Sequence, residues 1–389
     1  MTFQKVDFLI GFHSQYDVLH HFTRKLYEAG LRAGLDCRIL DRQEMQNLPK
    51  HSPPDLSIGF NGIPRNAQDV LLCDVFKIPY LSILVDPPYR FWYVTKSPYS
   101  LVSCDDQYGC KLLDQVNFRR SFFLPHGVEP ELEPDPNVKK VFDTVMLTTF
   151  IDFEAIKENW KNLFPPVICK VMEEAAEIAF FEPRISFIAS FNTLLDEAQS
   201  KNPPQLFENV LMTRVLEELE IYIKGKDKYL LATSIKEATL HIFGDTISKK
   251  SWKDYLGKNH PNIFPHGPVS FSQALEIIKQ SKVLLNANIK NKEGAHERIF
   301  AGFAGGAAVI TNESSYISQT FQEGRDILFY RHTDLKQVNA AVNDLLANES
   351  KRQNLANHGR QIVMEHHTWD HRLQELLKQS SQLVKTMKF

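Results

Sequence analysis

The chain has 389 residues, 43% hydrophobic and 24% charged, with a formal net charge of −2. That is a globular composition with room for two ordinary domains; it excludes a general attraction to nucleic acid, and no apolar run is long enough to span a bilayer. Five cysteines without a CxxC pair predict reduced thiols, as in a cytoplasmic protein, and no structural zinc.

The opening MTFQKVDFLIGFH has a short apolar run broken by Asp7, so no secretory leader is expected from it. Residues 6–11 read as a strand. Residues 15–33 have helical spacing, with Val18, Leu19, Phe22, Leu26 and Leu31 turned toward a sheet. Apolar runs at 37–40, 56–60, 80–85, 101–103 and 122–124 predict further strands. Their alternation with helices predicts a doubly wound parallel sheet. Gly11-Phe12-His13 stands where a dinucleotide-binding fold carries GxGxxG, which argues against such a site. His13 and Asp86 follow the first and fourth strands at the carboxyl edge, where open α/β folds bind ligands, and are candidate general bases. Capping a helix is the commoner role of such residues. The aromatic run Tyr89-Arg90-Phe91-Trp92-Tyr93 would stack on a sugar ring or fill a core. Three prolines and three acids at 130–136 mark a linker.

Residues 141–147 begin a second set of strands. Residues 151–236 break the alternation, with helical spacing at 167–179, 187–197 and 206–223 and prolines at the turns. This is a helical insertion that would shape an acceptor site, form a dimer contact, or simply pack. Strands resume at 239–243 and 263–264, and Ser270 or Ser272 would cap a helix at 273–280. The runs 283–285 and 307–310 lack charge, as strands buried on both faces do. Between them lie a polar loop, 286–294, and a helix, 296–304, forming a crossover unit. The amides of Gly294, Ala295 and His296 at the helix start, beside Lys290, Lys292 and Arg298, predict a diphosphate cradle. A solvated charge run is the plain alternative. A strand at 327–330 and helices at 334–347, 349–366 and 372–385 finish the chain. His366, His367 and His371 have no carboxylate or cysteine at a recognised ligand spacing, so no metal is expected there.

Glu293-Gly294 and Ala304-Gly305-Gly306-Ala307-Ala308-Val309 resemble the Glu-Gly loop and Ala-x-Gly-x-x-Val turn of the group 1 GT-B glycosyltransferases. Arg298-Ile299-Phe300-Ala301-Gly302, Asp86-Pro87-Pro88, Leu124-Pro125-His126-Gly127-Val128 and the run from His366 to Arg372 resemble segments of the spore-maturation-protein-B-like (CgeB-like) glycosyltransferases, in their order along most of the chain. The resemblance implies an α/β GT-B fold of two Rossmann-like doubly wound parallel-sheet domains facing a cleft. Residues 1–135 would form the acceptor-side domain, 136–370 the donor-nucleotide domain with its insertion at 151–236, and 371–389 a helix packing back across the cleft. It implies metal-independent transfer of a sugar from a nucleotide-diphosphate sugar, with no resident cofactor, to an unidentified glycan, lipid-linked or protein acceptor. His266, Val269, Asn288, Lys290, Glu293, Gly294, Ala295, His296 and Arg298 would bind the donor. His13, Asp86, His126 and Glu293 are the catalytic candidates, and the stereochemical course stays open. Ala301 replaces the family's second, ribose-binding glutamate, with Glu297 and Glu313 as candidate substitutes. A catalytically silent sugar-nucleotide- or partner-binding protein and a sugar-nucleotide epimerase are the alternatives. Peripheral membrane contact and oligomerisation through the insertion also stay open.

Overall fold

A computed structural model describes residues 3–11, 14–41, 44–45, 52–246 and 249–387. His13, expected as a base, lies outside the described residues. The chain divides into two compact units, Met1–Leu132 with Val363–Phe389, and Glu133–Ile362.

The first unit holds β1 (Lys5–Leu9), β2 (Asp36–Leu40), β3 (Leu56–Phe60), β4 (Tyr80–Leu84), β5 (Ser100–Cys104) and β6 (Ser121–Phe123), in the order β2-β1-β3-β4-β5-β6. All its strand pairs are parallel. The strand order reverses between β1 and β3, and that switch point opens a crevice at the carboxyl edge. The helix Val18–Arg32 buries Phe22 and Leu26. Leu31, expected on the same face, is 50% exposed: five residues beyond Leu26 is about 140° off that face at 3.6 residues per turn, and Ala29 and Gly30 take the buried place.

The second unit holds β7 (Phe142–Leu147), β8 (Leu240–Phe243), β9 (Ile263–His266), β10 (Ser281–Asn286), β11 (Ala308–Asn312) and β12 (Leu328–Tyr330). Their order, β12-β11-β10-β7-β8-β9, is again parallel throughout and reverses between β7 and β10. Val283, Leu284 and Leu285 are fully buried, as strands covered on both faces require. Each unit is thus a doubly wound α/β sheet.

Between β7 and β8 run four helices, Phe153–Leu163, Pro166–Phe181, Phe187–Lys201 and Met212–Ser234. The last extends eleven residues past the expected stop at 223 and carries Lys224, Asp227 and Lys228. Trp160, Phe153 and Tyr222 interlock edge to face within this layer. The final helix starts at Trp369 rather than at 372. Thr368 and His371 form its capping box, and a histidine in place of the usual Glu or Gln hides that signal in the sequence. The boundaries expected at 135 and 371 fall at Leu132 and Val363. Two backbone bonds, Val128 N to His367 O and Trp369 N to Val128 O, tie the chain's end to the first unit. There Trp369 packs on Phe22 at 5.0 Å and Arg32 binds Asp370.

Candidate functional site

The loop after β10 is held from below. Asn288 N donates to Asn312 Oδ1 at 2.8 Å and Ile289 N to Asp227 Oδ2 at 3.1 Å. Ser314 Oγ donates to Gly294 O at 2.6 Å, and Ser315 N to Lys292 O at 2.9 Å. Asp227 also accepts from Tyr330 OH at 2.7 Å and lies 2.8 Å from His332 Nε2. One buried carboxylate thus joins the insertion, the loop and the end of β12. Lys292, expected in the phosphate cradle, is instead buried beneath the loop, its Nζ donating to Ala179 O at 2.7 Å. Burial pulls its pKa down to about 8.

Around the switch point, Thr148 Oγ1, Asn286 Oδ1, Asn288 Oδ1 and Asn312 Nδ2 are buried without a hydrogen-bond partner among the described residues. They follow or end β7, β10 and β11, the strands at the crevice. Buried polar atoms are normally paired, so four orphans at one sheet edge mark a ligand's place.

The helix Glu297–Ala304 starts at this edge. An arginine N–H only donates, so His296 Nε2 accepts from Arg298 Nη1 at 3.2 Å. Burial holds the His296 pKa down to about 4, so the ring is neutral near pH 7. Its one proton then sits on Nδ1, donated to Glu297 Oε2 at 2.6 Å. The Arg298 amide, 3.4 Å from Nδ1, lies at the positive end of the helix.

The insertion completes the site. Lys228 Nζ donates to Thr149 O at 3.2 Å. Burial pulls its pKa well down, and the charges of Lys224, Arg298 and Lys290 push the same way against Asp227 alone. The Met212–Ser234 helix comes this close because Gly225 has no side chain: a Cβ there would meet Ile151 Cγ2 at 2.8 Å and Phe153 Cβ at 2.9 Å. Lys224, Asp227 and Lys228 were missed in the sequence, although their i, i+3, i+4 spacing places them on one helix face. Lys224, Lys228, Lys290 and Arg298 gather here at a helix start, with Glu220 3.3 Å from Lys224 and Glu297 3.6 Å from Arg298. The crowding of basic groups that depresses Lys228 is what an incoming polyanion would relieve.

His266 ends β9, three strands from β10, roughly 14 Å at about 4.8 Å per strand. It stacks on Phe243 at 4.3 Å and lies 2.9 Å from His241 Nδ1. Val269 follows, half-buried, before the helix Phe271–Lys279, which Ser270 caps. Ala301 is buried, Glu297 is engaged with His296, and Glu313 with Arg331 at 3.0 Å.

Asp86 and His126 belong to the first unit, Glu293 to the second. Asp86 Oδ2 accepts from Asn61 Nδ2 at 3.0 Å. His126 is buried, 3.5 Å from Asp105 and 5.5 Å from the Phe22 ring. Two of the histidines near the carboxyl end are structural: His367 binds Arg372 at 2.8 Å and His371 binds Thr368 at 2.7 Å. Among the described residues no group of three metal-ligating side chains occurs, and no helix is long and apolar enough to cross a membrane.

Residues 227–378 match the family described as "Glycosyl transferase-like". No curated protein matches the chain by sequence. Among solved structures, the chain is similar to the sucrose-phosphate synthase of Thermosynechococcus elongatus (TM-score 0.57, 11% identity, covering 98% of this chain and 99% of that one). It is also similar to AviGT4, a glycosyltransferase of avilamycin A biosynthesis (0.55, 10%, 98% of each). A third likeness is to Anabaena HepE in complex with UDP and glucose (0.53, 12%, 97% and 100%). At such identities the likeness shows the fold: two six-stranded parallel sheets with surrounding helices, as in GT-B glycosyltransferases.

Proposed function

We propose that the protein is a glycosyltransferase of the GT-B type that takes a nucleoside-diphosphate sugar, with a UDP-sugar as the first donor to test, and that it stands nearest the CgeB-like group. The observation that carries this reading is the cationic set Lys224, Lys228, Lys290 and Arg298 at the start of the Glu297–Ala304 helix, beside four orphaned polar atoms at the switch point. The family match over residues 227–378 supports it. So does the structural likeness to HepE, which was solved with UDP-glucose.

In this reading the bond between the sugar's anomeric carbon and the diphosphate oxygen breaks, and the diphosphate leaves with the electron pair. The lysines, Arg298 and the helix amide stabilise the charge that develops on it. An acceptor hydroxyl forms the new bond and loses its proton. His13, Asp86 and His126 are the first unit's candidates to take it, and Glu293 is assigned to the transferred sugar. Asn288, Gly294, Ala295 and His296 line the phosphate side, and His266 and Val269 the base side. In this reading side chains and helix amides offset the diphosphate's charge, so no metal is required. Ala301, in place of the family's glutamate, favours a second reading, a binder that does not turn over.

The test is a donor screen by thermal shift followed by turnover. Transfer, or slow hydrolysis of the bound sugar nucleotide, supports the enzyme. Saturable binding with no product over a range of acceptors sinks it in favour of the silent binder. Product formed from the donor alone, with its nucleotide retained, points to an epimerase.

A further inference from the structure

The first unit contains a cavity of about 490 Å³ at its own switch point, between the ends of β1 and β3. That is the size of a site for a small molecule. Its walls are largely apolar: Leu9, Ile10, Leu19, Met45, Phe60 and Ile63.

The polar side chains on the wall are mostly spoken for. Asn61 donates to Asp86 and accepts from Val85 N at 3.0 Å. Thr23 Oγ1 donates to Leu19 O at 2.8 Å. Arg65 is held by both oxygens of Asp69 at 2.7 Å and lies 4.4 Å over the Tyr93 ring. Tyr93 OH accepts from Ile63 N at 3.2 Å and keeps its proton to give. Tyr80 is 2% exposed and lines the cavity. Its hydroxyl lies over Gly59, where a Cβ would stand 2.1 Å from it. The described wall therefore offers a ligand two phenolic O–H groups, beside the outer N–H groups of Arg65, in a largely apolar chamber.

We propose that this cavity binds an acceptor with an apolar, ring-sized body carrying a hydroxyl, rather than a sugar chain; calling it the acceptor rests on the glycosyltransferase reading above. A sugar ring brings several hydroxyls, and each one buried without a partner weakens binding. An aromatic or alicyclic alcohol brings one, which Tyr80 and Tyr93 can meet, while its carbon body replaces water against the apolar wall.

The probes are 2-naphthol and naphthalene, which differ by that hydroxyl, titrated by fluorescence against the full chain without donor. The wild type is expected to bind 2-naphthol saturably. Tyr80→Phe keeps the ring's volume and should weaken 2-naphthol about fivefold while leaving naphthalene within about twofold. Leu19→Asp should weaken both probes at least about tenfold. Its carboxylate falls in the first turn of the Val18–Arg32 helix, where negative charge is tolerated. An unchanged circular-dichroism spectrum and a cooperative thermal melt in both variants serve as the folding control. The proposal is overturned if 2-naphthol does not saturate a wild type that binds UDP, if Tyr80→Phe weakens both probes alike, or if cellobiose binds more tightly than 2-naphthol. Saturable, Tyr80-dependent naphthol binding by a protein that binds no nucleotide would keep the cavity and remove the transferase reading.

Discussion

Replacing Lys228 by methionine separates ligand binding from folding more sharply than any other change. The side chain keeps nearly its length and loses its charge. In the empty protein that charge is opposed by burial and by Lys224, Arg298 and Lys290, with only Asp227 favouring it. The variant should therefore melt at the same temperature as the wild type or higher. With a diphosphate present the balance reverses, because a charge-assisted hydrogen bond is worth about 1.5–3 kcal/mol. At about 1.36 kcal/mol per decade, UDP should bind about 10- to 150-fold more weakly, and uridine within about twofold. Calorimetry in buffers of different ionisation enthalpy adds a second signature. An anion raises the depressed Lys228 pKa, so at pH above that depressed value the wild type takes up a proton on binding UDP, and Lys228→Met takes up less. Unchanged UDP affinity, or equal losses for UDP and uridine, would refute the placement of Lys228 at the phosphates.

Arg298→Ala should weaken UDP more than uridine, again by about 1.5–3 kcal/mol; equal losses by calorimetry would remove it from the phosphate contact. Gly294→Val puts a branched side chain into the cradle loop, and a variant that folds yet binds a sugar nucleotide like the wild type would show the cradle to be misplaced. Burial holds His296 near pKa 4 and His367 near pKa 3, both below the ordinary value, so between those values and about 6.5 the unfolded chain binds more protons. Stability should thus fall as pH drops from about 6.5 toward 4, by up to about 1.36 kcal/mol per pH unit for each histidine. His367→Gln should flatten the slope in urea melts at pH 6, 5 and 4, and an unchanged slope would show that His367 does not carry it.

The strands were legible because a parallel sheet covered on both faces leaves charge-free runs such as Val283–Leu285. The polar loop and helix start that follow were legible from the change of pattern. Lys292 was not: a lysine in a polar loop looks the same in sequence whether it faces a ligand or folds beneath the backbone to Ala179 O. The insertion's contribution was hidden for another reason. Lys224, Asp227 and Lys228 resemble a solvated helix face, and only the tertiary approach allowed by Gly225 brings them under the loop. Asp227, which gathers Ile289, Tyr330 and His332, joins residues some sixty to a hundred positions apart, a distance no local spacing reports. The cavity of the first unit was equally silent, since Leu9, Phe60 and Ile63 read as ordinary core residues.

The four unpartnered atoms at the second sheet's edge, on Thr148, Asn286, Asn288 and Asn312, bear on directed evolution. Leaving such an atom buried and unpaired costs roughly 1–3 kcal/mol; at Asn286 and Asn312 the other amide atom is bonded, so Thr148 is where stability is easiest to recover. A library selected on heat alone will find Thr148→Val early, and its survivors will be hardy and inert. Thermostable descendants that still work have to come from rounds in which heating alternates with capture on an immobilised sugar nucleotide.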